Sequence, residues 1–266
     1  MIDAHLHLWD PSKLDYDWLQ YVPSIAHRHG PEDWNETDIE VRQAVFIQAD
    51  CTPEQALNEV DWVAGLDHPA LEIAGIVAFA PLEQGKQVRT HLQALLDRPK
   101  VRGVRRSVQN EANGFILATD HIEGMIAAAD AGLSLDICAR DHQLPDLITA
   151  LDRLFAINPN ARVVLDHLGK PEIEAGGGDI HHLDWARNLK RLAERHQVFA
   201  KVSGLTTQDD WTQGHDETLR PYIDHALAVF GPDRLMYGSD WPVVDLAGDR
   251  RLTVTELAEA WPRPPR

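Results

Sequence analysis

The residues whose types and spacing best suit chemistry are two imidazoles near the start of the sequence, His5 and His7. Neutral imidazoles hold a divalent metal or hydrogen-bond a carbonyl oxygen. The two lie in Ile2-Asp-Ala-His-Leu-His-Leu8. A strand's two-residue period puts Asp3, His5 and His7 on one face and Ile2, Ala4, Leu6 and Leu8 on the other. His-x-His alone is a weak signal, because any half-exposed strand can carry two histidines. A second copy, His27-x-His29, lacks flanking apolar alternation and reads as an exposed loop pair.

Positioning such residues takes a scaffold, and the chain offers seven further strand-like runs. They are Gln43 to Ala49, Ile73 to Ala80, Arg102 to Val108, Leu133 to Ala139, Arg162 to His167, Val198 to Ser203 and Arg234 to Asp240. Helix-like stretches alternate with them: Pro53 to Leu66, Gln87 to Leu96, Ile122 to Ala131, Gln143 to Asn158, Trp185 to Arg195 and Thr218 to Phe230. Strand–helix alternation means parallel βαβ units, and eight of them close most naturally into a single-domain α/β barrel over residues 1–266. An open doubly wound sheet competes, but no glycine fingerprint for a dinucleotide follows the first strand. Pro11 to Val41 reads as a long loop covering the site. Gly176-Gly177-Gly178 reads as a flexible connection, and after Asp240 there is room only for a short last helix.

In such barrels chemistry sits where strands end. Those ends are polar here: His5 and His7, Gln48, Arg105 and Arg106, Asp136, Asp166-His167, Lys201 with Ser203, and Gly238-Ser239-Asp240. Alternation turns Asp136 and Cys138 inward on the fifth strand and Lys201 and Ser203 inward on the seventh. On the fourth, both registers fit, and Arg105 is preferred to Arg106. Gln48, Arg105, Asp136, Lys201 and Trp18 are the candidate substrate-binding residues. Trp9 and Trp241 could stack on an apolar face of a ligand.

Composition narrows the partners. The 266 residues are 44% apolar and 25% charged, with a net charge of −17, a poor match to nucleic acid. No apolar run approaches the length of a membrane span, and no signal peptide is visible, so the expectation is a cytoplasmic protein acting on a small molecule. Cys51 and Cys138 do not form a thiolate zinc motif. The oligomeric state is not legible.

Several motifs together resemble the amidohydrolase superfamily: Asp-Ala-His-Leu-His-Leu-Trp-Asp at 3–10, Val-Arg-Gly-Val-Arg at 101–105, Leu-Asp-His-Leu-Gly-Lys-Pro at 165–171, Lys-Val-Ser-Gly-Leu at 201–205 and Tyr-Gly-Ser-Asp-Trp-Pro at 237–242. They look most like the branch of fuconolactonases, rhamnonolactonases and 2-pyrone-4,6-dicarboxylate lactonase. The resemblance implies a distorted (β/α)8 barrel and lactone hydrolysis, with Asp240 as general base beside His5, His7 and His167. Where binuclear members carry a carboxylated lysine at the end of strand four, this chain has arginines, which argues against two metals. The resemblance to the lactonase branch implies that no cofactor is required, while one zinc on His5, His7, His167 and Asp240 remains chemically reasonable. The rivals are a mononuclear-metal decarboxylase of the same superfamily acting on an unsaturated or aromatic carboxylate, and a silent sugar-acid binder.

Overall fold

The computed structural model describes residues 2–34, 41–173, 179–208 and 216–247. Eight parallel strands follow one another around a barrel in sequence order. They are β1 (Ile2–Leu6), β2 (Gln43–Ile47), β3 (Glu72–Phe79), β4 (Val101–Arg105), β5 (Ser134–Ile137), β6 (Val163–Leu165), β7 (Val198–Val202) and β8 (Leu235–Tyr237). Outside them run α1 (Ala56–Ala64), α2 (Arg89–Leu96), α3 (Thr119–Asp130), α4 (Leu144–Ile157), α5 (Asp184–Ala193) and α6 (Asp216–Phe230). The α4 sequence shows why: Leu144, Leu147, Ile148, Leu151 and Leu154 recur every three or four residues and are buried against the barrel. Pro145 in its first turn needs no amide partner. None of the described helices is long and apolar enough to cross a membrane.

The strands stop earlier at their C-terminal ends than alternation suggests. β6 ends at Leu165 and β8 at Tyr237, because His167 and Asp240 adopt left-handed φ values of 53° and 59° that a ladder cannot accommodate. Beyond those points inward and outward no longer alternate. Consecutive residues can therefore both face the barrel mouth, as Asp166 and His167 do.

No strand ladder joins β8 to β1. The seam is closed just past β8, where Asp240 N donates to His5 O (2.9 Å) and His7 N to Trp241 O (2.8 Å). The buried Asp3 carboxylate pins both sides, accepting from His5 N (2.9 Å) and Ser239 N (3.0 Å).

The first loop lies over this seam. Trp9 and His29 exchange backbone hydrogen bonds, and the Trp9 indole donates to the Ile25 and His27 carbonyls at 3.1 and 2.8 Å. That corrects the reading of His27 and His29 as an exposed pair: His29 is buried among Trp9 and Trp241, and only His27 is exposed. Behind β2, the fully buried Glu59 of α1 accepts from Ala49 N at 3.2 Å, and burial pushes its carboxyl up to about 8. The triple glycine at 176–178 and the expected short last helix lie outside the described residues.

Candidate active site

β1 and the turns after β6 and β8 bring three imidazoles around one carboxylate oxygen. Asp240 Oδ1 lies 3.6 Å from His5 Nε2, 3.5 Å from His7 Nε2 and 4.0 Å from His167 Nε2. The two β1 rings face each other with Nε2 to Nε2 at 3.1 Å. All four side chains are buried. Each outer nitrogen is held: His7 Nδ1 by Ile47 O (2.8 Å), His167 Nδ1 by Ser203 Oγ (2.9 Å), and His5 Nδ1 by Lys201 and Asp166. Gly204 makes room for the cluster, since at φ +59° a Cβ there would stand 2.7 Å from both Asp240 Oδ2 and His167 Nδ1.

Below the imidazoles lies a buried charge network. Lys201 Nζ meets Asp136 Oδ2 at 2.5 Å and Asp166 Oδ1 at 3.0 Å, and Arg105 Nη1 meets Asp166 Oδ2 at 3.3 Å. Arg105 Nη2 also donates to the Gln48 carbonyl (2.7 Å), leaving Nε as an unpartnered buried donor. Arg106 points away and pairs with Glu83 and Glu111, which settles the register of β4. The Gln48 amide bonds Asp50. Trp18, on the loop, donates to Ala49 O at 2.8 Å and packs edge-on against Trp9. The hydrogen bonds and ion pairs of Arg105, Asp136 and Lys201 thus run to Asp166, the Gln48 carbonyl, His5 and, for Lys201 and Asp136, to each other. Asp166 and Ser203, which the sequence names among the polar strand ends without giving them a role, join the cluster; inward alternation on β7 marks Ser203, whereas alternation does not mark Asp166.

Electrostatics follow from burial and these partners. Burial alone would raise the Asp240 carboxyl, but His167, His7 and His5 outweigh it and hold it well below the usual carboxylate range. Burial lowers His167 to about 4, and burial with the Lys201 ammonium keeps His5 well below its ordinary value. Burial opposes charge on Lys201, yet Asp136 and Asp166 prevail and raise it. At neutral pH the centre is therefore an ionised Asp240 among neutral His5 and His167, above an ionised Lys201.

Among the described residues, two overlapping donor sets could hold a metal: His5, His7 and Asp240, and His5, Asp166 and His167. Edges of 3.1, 3.5 and 3.6 Å in the first set bracket the roughly 3.3 Å edge of a tetrahedron with zinc–ligand bonds of about 2.0 Å. The donors fit a single zinc. A cleft of about 560 Å³ is lined by Arg140, Asp141, His142, Lys170, Glu172 and Gln208 among others, and neither the three imidazoles nor Asp240 are among its lining residues.

A family model described as "Amidohydrolase" matches residues 2–263. An L-fucono-1,5-lactonase of Burkholderia multivorans is 29% identical over 277 residues, covering 98% of this chain and 88% of that protein. Its namesake from Burkholderia ambifaria is 30% identical over 255 residues, covering 93% and 82%. A crystal structure of an amidohydrolase from Burkholderia multivorans with bound zinc superposes with a TM-score of 0.77 at 27% identity, covering 97% of this chain and 89% of that one.

Proposed function

The chain belongs to the amidohydrolase family, and from that premise we propose that it hydrolyses a small lactone, most specifically a sugar (aldono) lactone. The observation that carries this reading is the convergence of His5, His7 and His167 on Asp240 Oδ1, about one water molecule's reach from each. Asp240 takes a proton from water as its oxygen bonds to the lactone carbonyl carbon. A carboxylate held so acidic is always ionised but is a reluctant acceptor, so proton transfer accompanies C–O bond formation. Imidazole N–H groups on the same rim stabilise the oxyanion. The ring C–O bond then breaks, and the leaving alkoxide recovers the proton from Asp240. The product is a hydroxy acid.

His5, His7, His167 and Asp240 would hold a zinc ion if one binds, and it would supply Lewis-acid polarisation of the carbonyl. The paired donors and acceptors of the cleft, cationic Arg140 and Lys170 beside Asp141 and Glu172, suit a polyhydroxylated ligand better than a polyanion. Arg105, Asp136 and Lys201 act from below: Lys201 bonds His5, while Arg105 and Asp136 hold Asp166 and Lys201 in place.

The test is a panel of aldonolactones followed with a pH indicator, with Asp240→Asn alongside. Ring opening with acid release is expected, and the variant should lose about 10²- to 10⁴-fold in kcat while remaining folded. Retention of more than about a tenth of the activity would remove Asp240 from its role. Release of CO₂ from an aromatic carboxylate, with stoichiometric zinc, would select the decarboxylase instead.

A further inference from the structure

Three polar residues turn left-handed within three positions of a strand's C-terminal end. They are His167 after β6, Asp240 after β8 and Asp50 after β2, at φ 53°, 59° and 54°. Such values cost any side chain something, least for Asp and Asn, and they persist where the surroundings enforce them. His167 and Asp240 belong to the active site, whereas the mechanism makes no use of Asp50.

One side chain holds Asp50 in this conformation. The fully buried Gln48 accepts from Asp50 N at 2.7 Å through Oε1 and donates to Asp50 Oδ1 at 2.9 Å through Nε2. Both ends of a buried amide are thus committed to fixing one exposed carboxylate. Among the described residues Asp50 has no further hydrogen bond and no ion pair, which leaves Oδ2 to accept from outside the chain. This strand end borders the catalytic centre. The Gln48 carbonyl accepts from Arg105 Nη2 at 2.7 Å, and the Ile47 carbonyl meets His7 Nδ1 at 2.8 Å. Burial opposes charge on Arg105, yet Asp166 and then Asp50 outweigh it, so the Asp50 charge reaches into the barrel mouth. Arg105 and Lys201 are already matched there by Asp166 and Asp136. Asp50 therefore adds its charge to that of Asp240.

We propose that Asp50, positioned by Gln48, is a specificity-determining residue that accepts a hydrogen bond from a hydroxyl of the lactone and turns away lactones bearing a carboxylate. A carboxylate only accepts, so it gains from a hydroxyl donor and loses against an anion. The inference rests on the lactonase reading and narrows it: an aldonolactone is preferred to the aldarolactone in which the terminal CH2OH is a carboxylate.

The experiment compares wild type, Asp50→Asn and Asp50→Gly on aldono-1,4-lactones, each paired with its aldarolactone, D-glucono-1,4-lactone against D-glucaro-1,4-lactone among them. Asparagine keeps an acceptor for Gln48 Nε2 but presents N–H where Oδ2 was, and glycine suits the left-handed turn best of all. Both variants should raise KM for the preferred aldonolactone about 10- to 100-fold, the worth of one charge-assisted hydrogen bond. Their kcat should stay within about threefold of wild type, and the preference over the aldarolactone should shrink about tenfold or more. A residue needed only for the turn would leave Asp50→Gly with wild-type KM and preference, and that result overturns the proposal. So does a wild-type enzyme that favours aldarolactones. Aldonolactone turnover with KM and preference unmoved by either substitution sinks this inference alone, whereas no turnover of any lactone by wild type sinks the functional reading and this with it.

Discussion

Replacing Glu59 with glutamine should make the protein more stable in mild alkali. The Glu59 side chain is fully buried, with Oε1 accepting from Ala49 N and Oε2 left without a partner. Burial dominates and carries its carboxyl from an ordinary 4.5 up to about 8. Because the folded state holds this proton more tightly than the unfolded chain, this carboxyl's contribution to stability is fully present below pH 4.5 and declines as pH rises toward 8. That interval of about 3.5 pH units, at 1.36 kcal/mol each, sets an upper bound of about 5 kcal/mol on the loss. Glutamine keeps the acceptor for Ala49 N and cannot ionise. Urea unfolding of both proteins from pH 5 to 9 is the assay. The curves should agree to within about 1 kcal/mol at pH 5 and diverge by roughly 2 to 5 kcal/mol at pH 9, the variant being the more stable. Parallel curves across the range would refute the reasoning, since they would mean that Glu59 is already ionised in the folded state or is hydrated.

Three further outcomes are expected. His121 of α3 is buried with both ring nitrogens unpartnered and is lowered by burial to about 4. His121→Leu should stabilise by about 1–3 kcal/mol at pH 7 and abolish the loss of stability that wild type suffers between pH 6.5 and 4, read by thermal melts at each pH. Gly204→Ala should lower kcat by more than about tenfold and lower Tm as well, because its φ of +59° disfavours a side chain and the methyl would press on Asp240 and His167; unaltered kcat and Tm would contradict the tight packing there. Exhaustive chelation should leave most of the lactonase activity, and complete loss restored by zinc would instead make the metal obligatory.

Much of the centre was legible before folding because its members sit in short polar interruptions of apolar strands. His5 and His7 follow a strict alternation, and Asp240 closes the eighth run. Lys201 and Asp136 emerge from alternation on β7 and β5, but their pairing does not, since they are 65 positions apart and nothing local to either names the other. Asp166 stands among the polar strand ends in the sequence, but its inward placement is hidden for a different reason. β6 ends at Leu165 and the chain turns left-handed at His167, so the two-residue rule has already lapsed where it would be needed. The burial of His29 also depends on a distant event, the bridge from Trp9 across the first loop. Local periodicity therefore reports the wall of the barrel well and its rim poorly, because the rim is where backbone geometry departs from the repeat.

The seam between the first and last strands has a consequence for how this molecule would fail. Its two main-chain links run through His5, His7, Asp240 and Trp241, so the reacting groups are also the rivets of the weakest joint in the wall. Gentle warming or low denaturant should unzip that joint while the remaining seven strand pairings hold. Turnover would then vanish ahead of the loss of helical signal, and a small molecule bridging both edges would act as a splint for the whole cylinder.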